Sequence, residues 1–251
     1  MKRVPMVGGR IALTGDGLEV DTEMLGFTIS PHEECAVEEA VRIAEATGGS
    51  VTVATLGPTE SSEQLRDCVA VGADKAVHLQ TDGSEWGPIA TAEAIAEIAR
   101  DTESPGGQPA YDLLLFGNEA ADTGDYQVGI RVAHMLGLPC ATGIKGLEVS
   151  EGRARAKREY RGVEESFELP LPAVITVKEG INLPRYPSLP GRLRAKKAPI
   201  EELHPTGRRD GLVKEALRVP LGTRRQAEVL GHGVEAVPAL VSLLVELGLV
   251  S

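Results

Sequence analysis

Aromatic side chains are scarce in this sequence. One Trp, four Tyr and three Phe make up 3% of its 251 residues, which leaves few platforms for stacking nucleic-acid bases. A formal net charge of −11 argues against nonspecific binding to a polyanion as well. Cysteine is equally sparse: Cys35, Cys68 and Cys140 show no CxxC spacing and sit in apolar or helical stretches, the pattern of buried free thiols. His32, His78, His134, His204 and His232 form no HxxxH or HxH pair, so no metal ligand is assigned. No apolar run approaches the roughly 18 residues of a membrane span. The opening "MKRVPMVGGRIALTGDG" has no apolar stretch of the kind a secretory leader carries. The expectation is a cytoplasmic chain with no membrane insertion and no nucleic-acid partner. GxSxG, HExxH, Walker A and GxGxxG strings are all absent, and no acid, base or nucleophile set stands out, so no catalytic residue is assigned either.

What the chain does have is 42% hydrophobic residues, arranged as short apolar runs alternating with helical patterns. "SPHEECAVEEAVRIAEATGG" offers Ser30 as N-cap, Pro31 in the first turn and Glu33 three residues after the cap, with Ala36, Val37, Ala40, Val41 and Ala44 at helical spacing. A capping box on an amphipathic helix is expected. "SVTVATLGP", "KAVHLQ", "DLLLFGN" and "PAVITVKEG" read as buried strands. Residues 60–71, "GPIATAEAIAEIAR" and "DYQVGIRVAHMLG" read as helices. The alternation predicts βαβ units and a parallel sheet, an α/β nucleotide-binding domain over residues 1–200. "RARAKREY" and "VEESFELP" flank Arg161-Gly162 as an antiparallel hairpin, expected on the edge of that sheet. "NLPRYPSLPGRLRAKK" packs three prolines and five basic side chains into sixteen residues and is expected to be neither helix nor strand. Residues 201–251 read as a C-terminal arm ending in an apolar helix whose Leu240, Leu243 and Leu244 need a surface to bury against.

Ligands of parallel α/β sheets bind beyond the carboxyl ends of the strands, where loops enter helix N-termini. Three loops qualify: 29–33, 55–59 and 116–129. The last carries Gly117, Gly124 and Gly129 beside Asn118, Asp122, Thr123 and Gln127, a supply of backbone donors and polar side chains for a nucleotide. Spacing alone leaves an ordinary turn equally open.

"SPHEECAVEEAVRI", "VTVATLGP", "LRDCVAVGADKAVHL", the Asp122-to-Gly129 loop, "KREYRGVEESFELPLPAVIT" and "NLPRYPSLPGRLRAKK" follow one another in an order and spacing that resembles the electron-transfer flavoprotein beta subunit, over residues 30 to about 200. The resemblance implies a three-layer parallel sheet, Rossmann-like and of the adenine-nucleotide-hydrolase type, with the antiparallel hairpin at its edge and the arm from 201 packed on an alpha subunit. It implies a heterodimer in which the alpha subunit carries FAD near the interface and the beta subunit holds AMP. Electrons would pass from acyl-CoA or related dehydrogenases toward a quinone oxidoreductase and the quinone pool. The AMP positions fall on Ser30, Pro31, His32, Glu33 and Leu56, and on Gly117, Asn118, Glu119, Ala120, Asp122, Thr123, Gly124, Asp125, Gln127 and Val128. The family usually has Asn in place of Ser30 and Asp-rich sequence in place of "AADTGDYQ". Some relatives place a second FAD in the same pocket, and that alternative stays open, as does, less favoured, an adenine-nucleotide-using hydrolase or ligase. The resemblance also makes "PRYPSLP" a docking segment for the dehydrogenase. Leu189 would be its anchor, with Arg185 and Tyr186 beside it and Arg192, Arg194, Lys196 and Lys197 as a steering ring. Finally, the family places a Val- and Ile-rich strand before a K-x-V-P element, here "KRVP" at residues 2–5, so the parallel sheet is expected to be one strand short.

Overall fold

The computed structural model describes residues 1–6, 8, 11–100, 109–206, 214–219 and 229–250. In chain order its strands are β1 (Arg3–Pro5), β2 (Phe27–Ile29), β3 (Thr52–Gly57), β4 (Lys75–Gln80), β5 (Leu113–Gly117), β6 (Cys140–Ile144), β7 (Gly146–Ser150), β8 (Arg153–Tyr160), β9 (Val163–Pro170), β10 (Ala173–Val177) and β11 (Glu201–Leu203). Its α-helices are α1 (Pro31–Thr47), α2 (Ser62–Val71), α3 (Pro88–Ile98), α4 (Val128–Leu136), α5 (Leu189–Lys197) and α6 (Val237–Glu246). They divide between two units, Met1–Glu215 and Ala216–Ser251.

The apolar runs are parallel strands, but in two sheets rather than one: β4 lies between β11 and β3, and β10 between β5 and β6. All five positions of β10 are buried, as a parallel strand covered on both faces requires. The division has a local cause. Among the described residues β3 and β5 are each paired on one side only. The first residues touch β3, where the Met1 amino nitrogen donates to the Ala54 carbonyl at 2.7 Å and the Thr55 hydroxyl donates to the Met1 carbonyl at 2.9 Å. The chain then turns away as β1 and pairs antiparallel with β2, Arg3 opposite Ile29 and Pro5 opposite Phe27. Between them, Leu13 bridges Val20 across the turn at Thr14–Gly17, the hairpin that "TGDG" suggests.

Three apolar clusters hold the first unit together. Val41, Val53, Leu65, Cys68 and Val69 pack α1 and α2 onto β3. Ile144, Ala154, Ala156, Ile175 and Val177 join β6 and β10 to β8. Ala92, Ala96, Leu114, Val132 and Val174 join α3 and α4 to β5 and β10. All three cysteines are free, and burial pushes the Cys68 thiol up to about 12, so it packs as a small apolar side chain.

Two local expectations need correction. The hairpin around Arg161-Gly162 gains a third strand, β7, and the resulting β7-β8-β9 sheet is separate from the parallel ones. Ala154 and Ala156, with no exposed surface, turn one face of β8 to the core, while Arg153–Glu168 and Lys157–Glu164 pairs line the other. The basic segment, expected to lack regular structure, closes into α5. The Ser188 hydroxyl accepts the Gly191 N–H at 3.1 Å as an N-cap, and Pro190 falls in the first turn, where it removes no helical hydrogen bond.

α5 is fastened to α2 by two arginines. Arg66 of α2 donates to the carbonyl of Ala195 at 2.7 Å, which also takes the Ala198 N–H, and to that of Ala198 at 3.3 Å just past the end of α5. Arg194 of α5 donates to the Val69 carbonyl at 2.9 Å. The backbones approach so closely that a Cβ at Gly191 would stand 2.2 Å from the Ala70 carbonyl oxygen. β11 follows α5 and pairs with β4, so residues 201–203 extend a sheet of the first unit. In the second unit the described residues include α6, whose Val237, Leu240, Val241, Leu243 and Val245 are all exposed. Among the described residues no helix is long and apolar enough to cross a membrane.

Candidate functional site

Two helix N-termini and one strand end meet around the loop 117–127. α1 begins at Pro31 behind the extended backbone of Ser30, and Glu33 and Glu34 in its first turn suit the positive end of the helix dipole. The capping box does not form. The buried Ser30 hydroxyl accepts the Ala121 N–H at 3.1 Å instead of one from its own helix, which ties the loop to α1. Gly117, the last residue of β5, lets the chains touch: a Cβ there would stand 2.8 Å from Glu33 Cγ. Gly129 does the same for α4, where a Cβ would lie 2.7 Å from Thr176 Cγ2.

The loop side chains are largely committed to each other. Asn118 Oδ1 accepts the Thr176 hydroxyl at 2.8 Å. Asp122 accepts Lys2 Nζ at 2.8 Å and the Thr123 N–H at 2.9 Å. Glu119 lies 3.8 Å from His32 Nε2 and raises the Tyr126 hydroxyl pKa by accepting its hydrogen bond. Gln127 accepts Arg131 through both Nε and Nη2, at 3.1 and 2.7 Å. Gly124 adopts φ 59° while its N–H returns to the Ala120 carbonyl. Asp125 and Val128 complete the path into α4.

Two buried polar atoms in this cluster have no partner among the described residues, His32 Nδ1 and Glu33 Oε2. Burial pushes the Glu33 carboxyl up to about 7, Asp122 adds to that push, and Ser30 and Lys2 oppose it. Buried polar atoms are seldom left unsatisfied, so a polar ligand reaching the start of α1 would have a donor or acceptor to meet. On the side of the loop facing β6 and β8, a hollow of about 200 Å³ is lined by Asn118, Tyr126, Ile130, Thr142, Gly143, Arg158, Glu159, Tyr160 and Lys178, so it shares Asn118 and Tyr126 with the loop but no residue of α1. The residues present fit a polar ligand at this loop: two helix N-termini and buried polar atoms on one side, and a hollow with Arg158 and Lys178 on its wall that reaches the loop at Asn118 and Tyr126.

The structure brings Ser30, His32 and Glu33 together with Gly117, Glu119 and Asp122. Leu56 joins them less directly, following Thr55, which is bonded to Met1 just before Lys2 reaches Asp122. Thr142, Gly143, Arg158 and Lys178 were not singled out from sequence. Gly143 near the end of β6 and Lys178 just past β10 stand at the carboxyl ends of parallel strands, and that position was the available signal.

The basic segment sorts into two groups. Tyr186 is 95% exposed and Leu189 72%, and Arg192, Lys196 and Lys197 also face solvent. Arg185 turns inward to Glu38 and Glu45 of α1, and Arg194, though exposed, spends its guanidinium on the Val69 carbonyl of α2. Leu183, 90% exposed, and Leu193 add apolar surface that the sequence pattern did not mark.

Residues 17–207 match the family model described as electron transfer flavoprotein domain. The chain is similar to the electron transfer flavoprotein subunit beta of Bacillus subtilis (strain 168), 39% identical over 179 residues, which is 70% of this chain and 67% of that protein. It is 35% identical over 205 residues to the protein of that name from Bradyrhizobium diazoefficiens, 80% of this chain and 78% of that one. The mitochondrial subunit beta of Oryza sativa subsp. indica is 34% identical over 209 residues, 82% and 80% of the two chains.

Proposed function

The chain belongs to the electron transfer flavoprotein family as a beta subunit, and from that we propose that it pairs with an alpha subunit, holds AMP in the cleft at the start of α1 and α4, and docks a reduced dehydrogenase through the segment around Leu189. It acts as an electron carrier's subunit, with no catalytic residue of its own. The FAD near the interface with the alpha subunit supplies the one-electron chemistry by which electrons from acyl-CoA or related dehydrogenases reach a quinone oxidoreductase. The beta chain's residues bind, orient and present. The observation that carries the reading is the meeting of Ser30, His32 and Glu33 with the 117–127 loop, where His32 Nδ1 and Glu33 Oε2 are buried with no partner among the described residues. Asn118, Thr142 and Lys178 would face the ligand from the strand ends. The alternation of strands with packed helices supports a three-layer, Rossmann-like arrangement, and the exposed apolar face of α6 suits an arm, read from residue 201 onward, that packs on the alpha subunit.

The test is to denature the purified heterodimer and identify what it releases. One FAD and one AMP per complex are expected. Two FAD would assign the cleft to a second flavin, and a single FAD with no other nucleotide would overturn the cleft assignment.

A further inference from the structure

From Asn182 to Ser188 the backbone belongs to no helix or strand, yet this stretch carries Tyr186 and leads into Leu189. It is held from the side by α1. The Arg185 N–H donates to Glu38 Oε2 at 3.1 Å. Arg185 Nε and Nη2 donate to the same carboxylate at 2.9 and 3.1 Å, and Nη1 and Nη2 reach the two Glu45 oxygens at 2.7 and 3.0 Å. Nearby, Asn182 donates to the Cys35 carbonyl at 3.0 Å and to Glu39 at 2.8 Å. Every guanidinium nitrogen of Arg185 is committed to a carboxylate, and Glu38 is only 7% exposed. Two acids surrounding one base leave no positive field to attract a partner. A planar fork gripping two carboxylates does fix the backbone that bears it, and an ammonium cannot copy that grip.

We infer that Glu38 and Glu45 are positioning residues for docking: through Arg185 they fix where Tyr186 and Leu189 stand, and Arg185 itself neither touches nor steers the partner. The inference rests on the docking function proposed above. An interface built on a few apolar anchors gains most from having them pre-placed, because ordering a free segment on binding lowers affinity.

The experiment uses the flavin-loaded heterodimer with a reduced acyl-CoA dehydrogenase as donor. Arg185→Lys keeps the charge and loses the fork. It should raise KM for the donor at least about fivefold with kcat, flavin content and thermal midpoint unchanged, whereas a steering charge predicts no change. Combined with Leu189→Ala it should add less than it costs alone, because part of its effect falls on the same anchor and only the placement of Tyr186 is left to lose. Glu45→Gln, on an exposed residue, should give a smaller rise in KM without loss of folding. A wild-type KM in both Arg185→Lys and Glu45→Gln, or additive effects in the double variant, overturns the inference while leaving docking intact. An unaffected Leu189→Ala overturns the docking function and this inference with it.

Discussion

The hydroxyl of Ser30 accepts the backbone N–H of Ala121 at 3.1 Å, across 91 positions of sequence. Ser30→Ala removes the buried acceptor of that bond while the N–H of exposed Ala121 can turn to water, so the loss is that of one hydrogen bond, about 0.5–1.5 kcal/mol. Urea unfolding should reveal a loss of that size together with lower AMP retention. Wild-type values for both would mean that the loop is held by its other contacts.

Glu33 makes stability depend on pH. Burial holds its carboxyl up to about 7 against an ordinary 4.5, so the folded chain favours the neutral form. Below 4.5 the group is protonated in both folded and unfolded chains and costs nothing. As pH rises toward 7 the unfolded chain ionises first, and stability falls by an amount on the order of 3 kcal/mol, fully expressed above 7. Glu33→Gln should therefore stabilise more at about pH 7.5 than at about pH 5. Equal effects at the two would show that the carboxyl is solvated.

Two glycines of the cleft should fail for different reasons. Gly129→Ala forces a Cβ to 2.7 Å from Thr176 Cγ2 and 3.2 Å from Phe116 Cγ, an overpacking of about 1–3 kcal/mol that calorimetry would detect. A Cβ at Gly124 would meet nothing nearer than Glu119 Oε2 at 4.0 Å among the described residues, but the backbone sits at φ 59°. Gly124→Val should lower nucleotide content, while Gly124→Asn, which tolerates that backbone, should retain it. Equal occupancy in all three chains would locate the nucleotide elsewhere.

At the docking segment, Leu189→Ala should weaken the productive encounter by about 2 kcal/mol, the scale of an interface anchor, with flavin content intact. Arg192→Glu should chiefly slow association and alter its salt dependence in stopped-flow mixing. Arg194→Glu should behave differently, lowering the thermal midpoint because its side chain serves α2.

For the last helix, removing residues from Val234 onward should weaken copurification with the alpha subunit, since Val237, Leu240, Val241, Leu243 and Val245 of α6 are exposed on the chain alone. Undiminished yield of the heterodimer would exclude that role.

Much of this architecture could be read from periodicity and punctuation. "KAVHLQ" is β4 to the residue, and Pro31 and Gly48 bound α1. The misreadings arose where long-range partners overrule local pattern. Ser30 and Glu33 have the spacing of a capping box, but Ser30 is used by Ala121, a competitor that spacing cannot reveal. Three prolines argue against a helix in the basic segment, yet Pro184 and Pro187 precede α5 and Pro190 lies in its first turn, where proline is tolerated. The inward turn of Arg185 depends on acids some 140 residues earlier in the chain. Lys178 and Thr142 enter the hollow through strand register, which composition does not encode.

The exchange of arginines between α2 and α5 bears on mimicry. α5 spans nine residues, below the roughly 12–15 that a helix needs to persist alone in water, and its last carbonyls rely on Arg66 from elsewhere in the chain. A synthetic peptide copying residues 182–203 should therefore show little helical circular dichroism and compete poorly for a dehydrogenase. An inhibitor built on this surface would need a staple or a grafted scaffold standing in for α2.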